Sequence, residues 1–78
     1  MDQKKFEAML VLIVPQVIAL IVKHMQTDEL SAARAFYGSQ LYALLEQEET
    51  KLWHFSPLLL FRMYEEECLT GAITFPEG

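Results

Sequence analysis

The sequence predicts an all-α fold, a small bundle of three to four helical segments. Three observations carry this. Apolar residues recur at helical spacing from residue 3 to residue 26 and again from Leu30 onward. Helix-start signals stand at Thr27-Asp28-Glu29, Ser39 and Ser56-Pro57. Glycines, the residues suited to ending helices, fall at Gly38 and Gly71.

The first element is the most apolar. The stretch 10-LVLIVPQVIALIV-22 contains aliphatic residues at every position except Pro15 and Gln16. As a helix over 3–26, it places Lys5, Gln16 and Lys23 on a narrow polar stripe beside Ala8, Leu12 and Ala19. Aliphatic side chains cover well over half of the remaining circumference, against an arc of a little over 100° on an ordinary surface helix. Such a helix needs burial on two sides. One side can face its own chain, and a second copy is the economical cover for the other. Leu10, Val14, Val17, Ile18 and Ile21 are the residues assigned to that association. Pro15 removes one backbone hydrogen bond to the Val11 carbonyl, and Val14 is a poor N-cap, so the sequence predicts a kink rather than a break.

A hydroxyl at Thr27 followed by two acids starts the second helix. Leu30, Ala33, Tyr37, Leu41 and Leu44 form its apolar face, and Gly38-Ser39 predicts a break or sharp bend between residues 28 and 47. The acidic stretch 46–50 reads as a connection. Leu52, Trp53 and Phe55 have strand-like composition, so residues 51–55 and 72–75 are candidate short extended segments. Ser56 as N-cap and Pro57 at the first helical position start the last helix. Cys68 is expected as a small buried hydrophobe on its apolar face.

Composition excludes several function classes. A chain of 78 residues is read as one domain spanning 1–78. Its single cysteine allows no internal disulfide and suits a reducing compartment. A core this small rarely supplies more than about 3–5 kcal/mol unaided, so association is the expected staple. Six scattered bases against eleven acids, a net charge of −5, argue against nucleic acid and anionic membrane as partners. Thirteen apolar-run residues cover only about 20 Å of a bilayer core of about 30 Å, so a membrane span is not expected. No catalytic constellation, metal-ligand spacing, phosphate loop or cofactor motif is present. His54 lacks an orienting partner in sequence. Glu65-Glu66-Glu67 reads as solvated surface, or as an acidic patch for a basic partner. Trp53, His54 and Phe55 are assigned to a second contact surface.

The segments 36-FYGSQLYALLEQEETKLWHFSPLLLFRMYEEE-67 and 70-TGAITFPE-77 also carry a pattern. Leu30, Phe36-Tyr37, Ser39, Tyr42, Leu45-Glu46, Thr50, Leu52-Trp53 and Ser56-Pro57, with Pro15 ahead of them, resemble a group of short, uncharacterised bacterial proteins, a domain of unknown function. The resemblance implies a bacterial, cytoplasmic setting and brings no activity, cofactor or catalytic residue. The expected function is thus a non-enzymatic protein–protein interaction or regulatory module that self-associates through the hydrophobic first helix, its expected partner a second copy. An unidentified protein partner, an antitoxin-like role and a small membrane-associated protein are the alternatives.

Overall fold

Helix α1 spans Gln3–Met25 and runs through Pro15 without interruption in the computed structural model, which describes residues 3–71 and 73. Proline leaves the Val11 carbonyl without its helical donor. In the same turn the Gln16 side chain donates from Nε2 to the Leu12 carbonyl at 2.8 Å, supplying a hydrogen bond where the backbone ladder is weakened. Continuity corrects the length argument made from the sequence. A helix of 23 residues extends about 34 Å, so by length and composition alone α1 could cross a bilayer. It ends at Gln26, whose φ of 53° leaves the helical region.

Helix α2, Glu29–Tyr37, is capped by Asp28 rather than Thr27, with the Asp28 carboxylate accepting from the Ser31 N–H at 3.0 Å. The hydrogen bonds to Ser31 hold the Asp28 carboxyl below the usual carboxylate range. Its buried residues are Ala32 and Phe36, not Leu30 and Tyr37. Two stripes compete on this helix, one through residues 30, 33 and 37 and the other through 32 and 36. Phe36 decides, because its ring fits among Tyr42 and Tyr64 at centroid distances of 5.5 and 5.8 Å, both edge-on.

The expected break at Gly38-Ser39 is present. Ser39 caps helix α3, Gln40–Leu45: its Oγ accepts from the Tyr42 N–H at 3.1 Å and donates to the Phe36 carbonyl at 2.6 Å. Gly38 has φ −88°, so the bend does not use the left-handed freedom of glycine. Leu41 and Leu45 face the core, while Leu44 is half-buried.

Residues 51–55 are not extended. Two short 3₁₀ turns, Glu48–Thr50 and Leu52–His54, meet at Lys51, which has φ 59°. Side chains hold this path against local β propensity. Thr50 Oγ1 donates to the Leu44 and Gln47 carbonyls, both at 2.8 Å, and Trp53 Nε1 donates to the Glu48 carbonyl at 3.0 Å. Between them Leu52 is fully buried. Of the second candidate segment, 72–75, only Ile73 lies within the described residues, half-buried against the core.

Helix α4, Pro57–Thr70, begins and ends as its sequence predicts. Ser56 caps it, Pro57 opens it, and Gly71 at φ 78° closes it with its N–H donating to Glu67. Leu60, Phe61, Met63 and Tyr64 are buried. Cys68 is exposed, against expectation, because α4 outruns the core after Tyr64. The result is an all-α fold with no strand among the described residues, α1 packing chiefly on α4 and α2.

Candidate interaction surface

Val14, Val17, Ile18 and Ile21 belong to the intramolecular core, together with Phe36, Leu41, Leu45, Leu52 and Leu60. Val17 and Ile21 are almost wholly inaccessible. Val17 and Ile21 therefore face their own chain and not a partner, whereas Val14 and Ile18 keep a small accessible edge that lines the surface depressions described below. Leu10 is half-buried. The wide apolar arc is present, and its own chain covers it completely only at Val17 and Ile21.

What remains uncovered is the opposite strip of α1. Val11 is 71% exposed and Leu12 63%, with Ala8, Pro15 and Ala19 exposed beside them. Pro15, Ile18, Ala19 and Val22 form one wall of a groove whose other wall is Glu29, Ala33 and Tyr37 of α2. A neighbouring depression shares Pro15 and Tyr37 and continues past Leu10, Val11 and Val14 to Tyr42. The two tyrosine rings meet edge-on at 4.9 Å. Burial, with Glu46 and Tyr37 nearby, raises the Tyr42 phenol above its ordinary value.

On the other side of Ala19, a shallow cleft runs between Gln16, Leu20 and Lys23 of α1 and Ser56, Pro57 and Leu58 at the start of α4. Exposed Leu30 and Leu58 add apolar area on the two flanks. The out-of-phase packing of α2 creates much of this surface, because burying Phe36 turns Leu30 and Tyr37 outward. Contiguous exposed apolar area is the feature by which contact surfaces are recognised.

The second predicted surface is brought together only in part. Trp53 and Phe55 are half-buried against the core, and His54 is exposed, stacked on Trp53 with centroids 3.9 Å apart. A shallow depression joins His54 to Glu48, Glu49 and Lys51. No hydroxyl or thiol nucleophile lines it, and the indole N–H is turned inward to the backbone. His24 sits over Phe61, with centroids 5.1 Å apart. Among the described residues no three His, Cys, Asp or Glu side chains could hold a metal ion together.

Glu67 has a role that the sequence reading did not find. Its carboxylate accepts from the backbone N–H groups of Gln40 and Leu41, so the acidic run is not wholly solvated surface. No local signal points to a cap supplied from a different helix.

Comparison of this chain with protein-family models, curated proteins and solved structures finds no match.

Proposed function

We propose that the chain is a non-enzymatic interaction module that forms a homodimer through the outer strip of α1. The observation that carries this reading is the exposure of Val11 and Leu12 beside Pro15 and Ala19, on the far side of a helix whose inner face already completes the core. Leaving these aliphatic groups in water forgoes roughly 25 cal/mol for each Å² that a partner would cover. An acid-rich chain with no basic cluster favours an uncharged protein surface over phosphate-bearing partners. A second copy supplies such a surface at a stoichiometry the chain itself sets.

Light scattering across a concentration series tests it. The unaltered chain is expected at twice its monomer mass, and Val11→Asp or Leu12→Asp at monomer mass with unchanged helical circular dichroism, because both side chains are largely exposed. A native chain that stays monomeric at high concentration rejects the proposal.

The length of α1 supports a second reading, insertion into a bilayer, and only about 33% of its most apolar window is buried. Insertion would strip α1 from the fully buried Phe36, Leu41 and Leu60, which makes it the weaker reading. Flotation with phosphatidylcholine vesicles would favour it over the dimer.

A further inference from the structure

We infer that the dimer surface continues from the α1 strip across the neighbouring groove onto α2. The α1–α2 face of one copy then meets the same face of a second copy; this inference rests on the self-association proposed above. On the order of 100 Å² of apolar area goes with a whole aliphatic side chain. At that scale Val11, 71% exposed, Leu12, 63% exposed, and the smaller Ala8, Pro15 and Ala19 offer on the order of 300 Å² together. A stable pair covers roughly 800 Å² on each partner. A dimer built on the strip must therefore recruit a neighbouring element.

Two elements flank the strip, and their chemistry differs. Toward α4 the surface crosses Gln16 and Lys23 before it reaches Leu58, and Ser56 lines the same cleft. Toward α2 it stays apolar. The groove passes from Pro15 and Ala19 to Ala33 and Tyr37, and the depression beside it from Val11 to Tyr37 and Tyr42. Among the described residues, Glu29 is the one charged side chain that lines either of them. Lys4 and Glu7 precede Leu10, the first residue of these depressions, and so border them. On α2 itself Leu30 is 62% exposed and Tyr37 51%, with Arg34 exposed one turn beyond Leu30. Apolar area with its charges kept to the rim is how the centre of a protein interface is built.

The occupant this face suits is its own copy. In a two-fold dimer the same patch meets itself, so a patch dense in one sign of charge repels its partner. Each chain carries a net charge of −5, and two copies can approach closely only where that surplus is absent. Acids such as Glu48, Glu49, Glu65 and Glu66 stand on other elements, the first 3₁₀ turn and α4. The α1–α2 face has charges of both signs, and only at its rim. Its tyrosines are also compatible with themselves, because a phenol both donates and accepts a hydrogen bond.

Sedimentation equilibrium on the full chain tests this with one exposed leucine from each flank. Leu30 and Leu58 are each the second residue of their helix, where an aspartate is favoured by the helix dipole. Leu30→Asp is expected to weaken self-association by about tenfold or more with unchanged helical circular dichroism. Leu58→Asp is expected to change it by less than about twofold. Leu30→Cys in a chain carrying Cys68→Ser reads the same position without adding a charge. Its alkylation by iodoacetamide is expected to slow by about fivefold or more from monomeric to dimeric concentrations, because burial removes access to the thiol. Leu58→Cys in that background should keep its rate. A dimer that Val11→Asp dissociates, with position 30 alkylated at one rate throughout, confines the interface to α1 and overturns the extension alone. Equal weakening by Leu30→Asp and Leu58→Asp overturns it as well. A monomeric mass for the unaltered chain, with or without binding to phosphatidylcholine vesicles, overturns both readings.

Discussion

Glu67 closes the amino-terminal end of the helix that begins 27 positions before it. Its Oε2 accepts from the Gln40 N–H at 2.9 Å and its Oε1 from the Leu41 N–H at 3.0 Å. Two of the four N–H groups that α3 cannot satisfy internally are thereby satisfied by α4. The pair ties a six-residue helix, too short to be stable alone, to the longer helix beside it.

Replacing Glu67 by Ala should lower stability by about 1–2 kcal/mol, the range for hydrogen bonds to a charged group reduced for partial exposure. Glu67→Gln keeps one acceptor and should lose about half as much. Urea denaturation of the two variants checks this. A Glu67→Ala loss below about 0.5 kcal/mol, the level of an ordinary surface change, would show that the cap contributes little.

Core and surface positions on α1 should separate cleanly. Val17→Ala removes two methyl groups from a site with no exposure and should cost about 1–3 kcal/mol. Val11→Ala should leave chain stability within about 0.5 kcal/mol, measured in a background carrying Leu12→Asp so that association does not contribute. Equal losses at the two positions would contradict the assignment of the inner face.

The two internal glycines should respond with opposite sign. A Cβ at Gly38 would meet the Arg34 carbonyl at 3.4 Å, ordinary contact, and φ is already negative. Gly38→Ala should therefore stabilise by about 0.4–1 kcal/mol through the unfolded chain. Gly71 has φ 78°, where a side chain costs about 1–2 kcal/mol, so Gly71→Ala should destabilise. Thermal melts of the pair read the contrast directly.

The Tyr64 phenol is pushed up to about 12, first by burial, then by its hydrogen bond with Cys68 and the nearby Cys68 and Glu67 charges. A raised folded value means the native state holds this proton longer than the unfolded chain, whose tyrosines titrate near 10. The stability it contributes is complete below about 10 and is lost as pH rises toward about 12. Tyr64→Phe should therefore flatten the decline in unfolding free energy across that alkaline window. An identical slope in both proteins would remove Tyr64 as its source.

Asp28 gives the matching test in acid. Its carboxyl is held below the usual value by the Ser31 hydrogen bonds. Stability from this cap is present above the unfolded value near 3.9 and is lost as pH falls through the lower folded value. Asp28→Asn keeps a capping oxygen without a titrating proton. Its unfolding free energy should fall less steeply below pH 4 than that of the unaltered chain.

The caps at Ser39 and Ser56, the stop at Gly71 and the first-helix periodicity were legible because each is a local matter, decided within about one turn of chain. The phase of α2 was not. Its two stripes differ by a single position, and only the rings of Tyr42 and Tyr64 waiting across the core favour Phe36 over Tyr37. Residues 51–55 failed for a related reason. Valid strand composition there is overruled by Thr50 and Trp53, whose hydrogen bonds fold the backbone into turns that bury Leu52.

By itself, the chain of residues determined that this protein is helical, where its helices begin and stop, and that α1 has more aliphatic surface than one packing face uses. Periodicity and capping are short-range physics, and a linear text records them. Which part of that surface remains outside was decided only by tertiary packing. Burying Val17 and Ile21 against α2 and α4 exposes Val11 and Leu12, and no local preference distinguishes one side of an aliphatic helix from the other.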